Sequence, residues 1–427
     1  MTTNAKIFLI IYIATLTGML YYNLAHPPVN DGVKEYETFL LNLGQGWEYR
    51  RTLVNSSLIT TWLPAMVARY TGLDAMFLFR LTPPIFYALM PAFTYLIARR
   101  YLAVRYALIA ALVVIANSHI LFFPDIGRVG VGIAFFAGMI WALLHNRLWW
   151  AIGFALLVVF AHYGTALIAI GTAFTVWAGC ILWRRKLITQ YMVVFLVLVV
   201  SIGVWHFWIS SYSGWVMATY GVQVEMPAMT GDMIGPKIQA IPPGAEAAPS
   251  GATPRDVTAT VITSPAWSSD TFLNIHTREY AVLRALGVVG MTIPETIEVV
   301  ANWIAVGAIT IGLWLLWKAK RVDDMFKIIG ASLWLLIVFT VAVPWLSQFY
   351  GGMRMYFTTL PILAVGLPAG VKWIAGKVRI KPIVLCGAVL ALLAISTSGL
   401  VYRPFGEVKT FPVYWNLDSL NSLEEQP

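Results

Sequence analysis

The sequence predicts an all-α, polytopic integral membrane protein with about eleven transmembrane helices, in a range of about nine to thirteen. Composition, mean hydropathy and the spacing of apolar stretches carry this prediction. Hydrophobic residues make up 59% of the 427 residues and charged residues only 11%, and the mean hydropathy is +0.74. Soluble proteins carry roughly 25% charged residues, so a soluble globule and a disordered chain are both excluded. The two cysteines lie within apolar runs, which excludes a disulfide scaffold.

The candidate spans follow one another along a single transmembrane domain that comprises residues 1–427. A spanning helix needs roughly 20 apolar residues. The candidates lie near residues 7–24, 76–98, 103–122, 129–144, 148–163, 165–183, 188–210, 296–317, 326–343, 354–371 and 382–402. A further stretch, 53–70, contains Pro64 and has arginines at its edges, so we interpret it as an interfacial or re-entrant helix.

The basic residues alternate between the two sides of these spans. One side holds 16 of the 29 basic residues and two of the 20 acidic residues. The basic residues on that side are Lys6, Arg99, Arg100, Arg105, Arg147, Arg184, Arg185, Lys186, Lys318, Lys320, Arg321, Lys327, Lys372, Lys377, Arg379 and Lys381. By the positive-inside rule the N-terminus is cytoplasmic and the C-terminus lies outside, in a plasma (cytoplasmic) membrane. The net charge of +9 therefore reflects topology, and no nucleic-acid partner is expected.

Three segments are predicted outside the membrane. The first loop spans 25–75 and contains the interfacial stretch, and the second spans 211–295. The Pro/Gly/Ala-rich part of the second loop predicts a mobile segment, and residues 268–287 have the spacing of an amphipathic surface helix. The polar tail 403–427 is the third outer segment.

Acidic residues follow directly on the first span. Asp31 and Glu35 are four residues apart, so on a helix they face the same way. Two close carboxylates separate each other's pKa values, and one of them can then act as a base at neutral pH. A solvated loop in which Asp31 caps a short helix explains the same spacing. Both side chains are expected to be water-accessible, so replacing either should leave melting unchanged.

Three further candidates are predicted on the same outer face. Asp125 and Arg128 lie in a short loop, where an exposed ion pair between them is the simpler interpretation. His162, followed by Tyr163, lies in an apolar stretch, where a buried histidine bonded to a backbone carbonyl is the alternative.

The last candidate opens a late span. Arg354 follows Tyr350 and two glycines there, and its guanidinium could bind a phosphate or simply anchor the helix at the interface. No metal-binding or nucleotide-binding motif occurs in the sequence. No cofactor is implied with confidence, and a divalent metal is left open.

These motifs resemble the GT-C superfamily of polytopic glycosyltransferases, which includes protein mannosyltransferases and aminoarabinose transferases. The first outer loop with its acid carries the resemblance. The D-x-x-x-E motif at Asp31 and Glu35, the HYGT motif beginning at His162 and the Arg354 opening are similar to an uncharacterised, mainly archaeal group within it. That group has an acid two residues after the arginine of the second outer loop, whereas this chain has Gly130.

The resemblance implies a GT-C-like fold and transfer of a sugar from a polyprenyl-phosphate donor to an acceptor protein, lipid or glycan outside the cytoplasm. It implies that Asp31 acts as base or acceptor-orienting group, with Glu35 and His162 beside it. Arg354 and Arg128 would bind the donor phosphate, in contact with membrane lipids.

Two other functional classes remain open at this point. A polymerase or ligase of lipid-linked polysaccharide would use the arginines and leave the acidic pair dispensable. A non-catalytic subunit of a membrane complex needs none of these residues. A transporter or flippase is disfavoured, because the spans are nearly free of charge.

Overall fold

The computed structural model describes residues 2–25, 31–46, 56–117, 127–182, 188–210, 293–342 and 352–397, and all regular structure in these ranges is helical. The helices are α1 (Thr3–Ala25), α2 (Asp31–Gln45), α3 (Trp62–Thr71), α4 (Ala75–Tyr87), α5 (Leu89–Tyr101), α6 (Val104–Ala116), α7 (Gly127–Leu144), α8 (Leu148–Ala161), α9 (Tyr163–Leu182), α10 (Ile188–Ile202), α11 (Ile293–Lys318), α12 (Asp324–Ala342), α13 (Gly352–Leu363), α14 (Gly366–Val378) and α15 (Pro382–Thr397). A π-helical segment, Gly203–Ile209, continues α10.

Each predicted apolar stretch contains a described helix or helix pair, and the described chain is a helical membrane protein. Within the described ranges, six segments are long and apolar enough to cross a membrane. They are Thr3–Tyr21, Ala75–Tyr101, Gly127–Leu144, Tyr163–Leu182, Thr189–Ile209 and Val300–Lys318. Helices α6, α8 and α15 are apolar but shorter. The total of eleven spans and their orientation therefore stay predictions.

The stretch predicted as one span at 354–371 is a bent helix pair. Met355–Leu363 and Gly366–Val378 meet at 71°, the geometry of a broken span or a re-entrant loop. Pro368 has no N–H to donate to the carbonyl of Ala364, so a continuous helix would lose a hydrogen bond at this point. If the pair is counted as one span, the described candidates number seven.

Helix α7 lies at the centre of the bundle. It contacts α4, α5, α8, α9 and α13, and nearly every one of its residues is buried. Its sequence begins with glycines spaced between larger apolar residues, which lets neighbouring side chains approach its backbone closely. The start of α7 is therefore in contact with several elements at once.

Small residues bring α11 and α14 into close backbone contact. A Cβ on Gly312 would overlap the carbonyl oxygen of Gly366, and one on Gly370 would overlap the carbonyl of Ala308. Both helices thus present small residues four positions apart, the arrangement that allows dense helix packing in lipid.

One end of the bundle carries the predicted cytoplasmic residues. Arg100 Nε lies 2.9 Å from Asp323 Oδ2, and the Tyr101 hydroxyl donates to the same oxygen at 2.9 Å. The Tyr95 hydroxyl donates to Asn4 Oδ1 at 3.2 Å. The start of α1, the end of α5 and the start of α12 therefore meet at one end, as the charge alternation requires.

The first predicted outer loop contains two helices, α2 and α3, which pack on each other and on α4. Tyr36, Phe39 and Phe79 form an aromatic cluster with ring centroids 5.0 to 5.9 Å apart. Helix α3 ends at Gly72, whose φ of 70° suits glycine. The stretch predicted over 53–70 thus contains a helix, α3, which begins only at Trp62, and residues 53–55 lie outside the described ranges. Its interfacial or re-entrant placement stays a prediction. Most of the second loop, including the predicted helix at 268–287, and the tail 403–427 lie outside the described residues.

Candidate functional site

The described candidate residues meet at the end of the bundle opposite the Arg100–Asp323 pair. The end of α1 is tied to α4 there, since Asn23 Nδ2 donates to the Arg80 carbonyl at 3.3 Å and Arg80 Nη1 to the Leu24 carbonyl at 3.1 Å. Helix α2 follows α1 in the chain and lies at the same end, together with the start of α7.

Glu35 and Arg128 form a buried ion pair between α2 and α7. Glu35 Oε1 lies 3.6 Å from Arg128 Nε and accepts a hydrogen bond from the Arg128 backbone N at 3.4 Å. The side chains are only 1% and 11% exposed, respectively. Removing two charges from water is costly unless they compensate each other, so this contact fixes α2 against α7.

The backbone of α7 makes room for this carboxylate. A Cβ on Gly127 would come within 2.8 Å of Glu35 Oε2, so a larger residue would displace it. Because Gly127 is the first residue of α7, the carboxylate also lies at the positive end of the helix dipole.

Gly130 packs directly against Tyr87. A Cβ at Gly130 would overlap the Tyr87 ring. An acidic side chain therefore does not fit at Gly130 while Tyr87 keeps this position.

His162 joins α8 to α9 and is 6% exposed. Its Nδ1 accepts a hydrogen bond from the Thr165 backbone N at 3.1 Å and lies 3.0 Å from Thr165 Oγ1. A backbone N–H can only donate, so the neutral ring carries its proton on Nε2. The histidine thereby caps α9 through Nδ1, and the alternative of a bond from the ring to a backbone carbonyl stays a prediction.

His162 and Arg128 are linked through α7. A Cβ on Gly132 would lie 3.1 Å from His162 Cβ and 3.0 Å from Thr165 Oγ1. Gly132 is four residues after Arg128, which is about one helical turn, or roughly 6 Å along the axis. The ion pair and the histidine therefore lie beside consecutive turns of α7.

His206 is a second buried histidine at this place, and the sequence analysis missed it. Its Nε2 lies 3.3 Å from the Val159 carbonyl, and it is fully buried. Tyr163 lies between the two histidines, with ring centroids 4.9 Å from His162 and 6.4 Å from His206. The signal that could have identified His206 was its position near the predicted outer end of the apolar stretch 188–210. The π-helical turn that carries His206 has no sequence signature of comparable strength.

Helix α13, which begins two residues before Arg354, packs against α7 and α6. The Asn117 amide donates to the Tyr356 hydroxyl at 3.3 Å and ties the end of α6 to the first turn of α13. This places the backbone of Arg354 at the same end of the bundle as Arg128. The description does not cover the Arg354 side chain.

Asp31 is the first residue of α2, and Glu35 lies one turn further on the same helix, so the helical premise of their spacing is confirmed. The Asp31 side chain lies outside the description, as do Asp125 and Tyr350. Arg128 contacts Glu35, whereas its predicted pairing with Asp125 is not tested. The expectation that Glu35 is water-accessible is wrong, because α7 and α2 enclose it.

Among the described residues, no group of three His, Cys, Asp or Glu side chains could hold a metal ion. A comparison with protein-family models found no matching family, and a comparison with curated protein sequences found no match. The residues and their geometry therefore carry the functional argument.

Proposed function

We propose that this protein is a membrane-embedded glycosyltransferase with a GT-C-like architecture. It transfers a sugar from a polyprenyl-phosphate donor to an acceptor protein, lipid or glycan at the outer face of the plasma membrane. The observation that carries the proposal is the buried Glu35–Arg128 pair at the predicted outer end, one turn of α7 from His162. An acid, a guanidinium and a histidine with a proton on Nε2 are the groups that transfer from a lipid phosphate requires.

The acids and the arginines each have a role in the proposed reaction. The acceptor hydroxyl attacks the anomeric carbon, the bond from that carbon to the phosphate oxygen breaks, and polyprenyl phosphate leaves. Asp31, at the start of α2, takes the proton of the hydroxyl. Glu35 holds Arg128 in place through Nε, and a guanidinium with five donors can contact a carboxylate and a phosphate together. Arg354, on the helix packed against α7, binds the same phosphate.

The burial of Glu35 bears on the polymerase or ligase alternative. That alternative uses arginines and treats the acidic residues of α2 as dispensable. A carboxylate that is 1% exposed and paired with Arg128 is instead needed to position the arginine. Loss of Glu35 should therefore affect any chemistry that uses Arg128, while loss of Asp31 affects only chemistry that needs a base.

The test uses the full-length protein, purified and reconstituted in liposomes with a polyprenyl-phosphate hexose and candidate acceptors. Asp31→Asn keeps the shape of the side chain but removes its basicity, and the transfer rate should fall by about 10²–10⁴-fold. Glu37→Gln is the matched control, because Glu37 is an exposed acid on the same helix. It should transfer at the wild-type rate.

Two outcomes would contradict the proposal. If Asp31→Asn transfers sugar at the wild-type rate, Asp31 is not the base. If the wild-type protein transfers no sugar from any carrier and instead co-purifies stably with another membrane protein, the subunit interpretation becomes the better one.

A further inference from the structure

A groove between α11 and α12 lies at the opposite end of the bundle from the proposed active site. Its volume is about 550 Å³, and its lining is largely apolar. The residues that line it from α11 and α12 include Leu313, Trp314, Trp317, Phe326, Ala331 and Trp334. The two helices are connected by a short turn and yet touch over only a small area. Gly330 and Ala331 lie in the groove wall and add little side-chain volume to it.

One of the three tryptophans that line the groove is held by a hydrogen bond. The Trp334 Nε1 donates to Thr310 Oγ1 at 3.0 Å, which fixes this indole across the far end of the groove. Trp314 and Trp317 are 53% and 41% exposed, so the groove opens sideways on the surface of the helix bundle. From Lys318 back to Thr310 the groove follows α11 for about 12 Å, the length of eight helical residues.

Two lysines lie at the mouth of the groove. Lys318 Nζ lies 3.7 Å from the centroid of the Trp314 ring, which holds the ammonium above the apolar wall. Lys327 Nζ lies 3.5 Å from Asp324 Oδ1. The other acid of the turn, Asp323, is bound to Arg100 and Tyr101. Lys320 and Arg321 add further positive charge to the turn.

We propose that this groove binds one anionic phospholipid from the membrane leaflet at the basic end of the bundle. Its phosphate lies between Lys318 and Lys327, and one acyl chain follows the groove past Trp314 and Trp317 towards Trp334. The site goes beyond the proposed glycosyl transfer, since it lies at the other end of the molecule and shares no residue with that site.

Charge and shape together favour this occupant. A lipid surface brings negative charge to the depth where the two ammonium groups lie, and each nearby lysine strengthens attraction to an anionic leaflet. A soluble anion would leave the apolar part of the groove uncovered. A second copy of this chain would bring its own positive turn against the same lysines, which like-charge repulsion disfavours.

The test is photo-crosslinking in liposomes of phosphatidylcholine that contain a small fraction of phosphatidylglycerol with a diazirine in one acyl chain. Crosslinked peptides of the full-length protein are mapped by mass spectrometry. Crosslinks are expected on residues 310–318 and 326–335. The double variant Lys318→Gln/Lys327→Gln should lower this crosslinking on the order of tenfold.

Two further variants test the space in the groove and the charge at its mouth separately. Ala331→Phe fills the groove and should abolish crosslinking there while both lysines remain. Asp324→Asn removes the acid beside Lys327 and should increase crosslinking. The matched control is Lys372→Gln/Lys377→Gln, because Lys377 also lies over a tryptophan, Trp373, but on a shallow surface patch. The control should leave crosslinking at 310–335 unchanged.

Several outcomes would overturn the proposal. One is equal labelling of the groove by a diazirine phosphatidylcholine. Another is loss of the phosphatidylglycerol crosslinks in an excess of inorganic phosphate. The third is a loss of crosslinking in Lys372→Gln/Lys377→Gln as large as that in Lys318→Gln/Lys327→Gln. Crosslinks between two copies of the chain through the groove would assign it to a dimer interface instead.

Discussion

Replacement of Glu35 by glutamine tests whether the ion pair between α2 and α7 holds the proposed site together. Glu35→Gln keeps the volume of the side chain and an oxygen that can accept from the Arg128 backbone. It leaves the Arg128 guanidinium, which is only 11% exposed, without its carboxylate. The variant therefore isolates the charge of Glu35 from its shape.

The size of the effect follows from burial and distance. Removing one partner of a buried pair costs about 3–5 kcal/mol, because the other charge stays buried and loses that partner. The Nε–Oε1 distance of 3.6 Å is longer than in an ideal charge-assisted hydrogen bond, which places the cost near the lower value. We expect a loss of about 3 kcal/mol for Glu35→Gln. In Glu35→Gln/Arg128→Met neither charge is buried, so the double variant should recover a large part of that loss.

The assay is reversible unfolding of the purified protein in mixed detergent micelles, followed by tryptophan fluorescence. Glu37→Gln serves as the control for charge removal on the same helix and should change the free energy of unfolding by less than about 0.5 kcal/mol. The reasoning is refuted if Glu35→Gln is no more destabilising than Glu37→Gln. The single variant Arg128→Met is measured as well. If the loss in the double variant equals the sum of the losses in Glu35→Gln and Arg128→Met, the two side chains do not interact.

The other predictions concern donor binding, helix packing and topology. Arg354→Lys keeps the charge but loses the planar fork, so sugar transfer in the reconstituted assay should fall sharply; wild-type transfer would make Arg354 an interfacial anchor. Gly312→Val should cost about 3 kcal/mol in the same unfolding assay, because its side chain would overlap α14. Gly307→Val, on the same helix with open space around its Cβ, should have little effect, and equal losses would contradict the packing argument. A cysteine in place of Lys6 should react with an impermeant thiol reagent only after permeabilisation, and one in place of Pro427 should react in intact cells. The opposite pattern would reverse the topology.

The candidate site was predictable in its residue types and in its end of the bundle, but not in its contacts. Glu35 stands out in sequence through its four-residue spacing from Asp31 in the first outer loop. Arg128 and His162 stand out as polar groups at the edges of apolar stretches, where an unneeded polar group is costly. Sequence spacing favoured Asp125 as the partner of Arg128, since the two residues are three apart. The contact with Glu35, 93 residues away, depends on how α2 folds back over the start of α7.

Burial of polar groups was likewise decided by packing. The sequence predicted a water-accessible Glu35, whereas the absence of a side chain at Gly127 lets α2 lie close enough to bury it. The sequence did not reveal His206, because its buried position depends on a π-helical turn and on a contact with the Val159 carbonyl near the end of α8. A long-range contact of this kind has no periodic signature in the chain.

The sequence by itself determined that the chain is a helical membrane protein, where its apolar helices lie and which residues carry charge at their edges. Those properties are local, because a helix in lipid satisfies its own backbone hydrogen bonds and needs only a long apolar stretch. The tertiary structure decided the bend between α13 and α14, the partner of Arg128 and the groove between α11 and α12. The contacts involved are the approach of the Glu35 side chain to Gly127 and of the α14 backbone to Gly312, and such approaches are fixed only when the helices pack together.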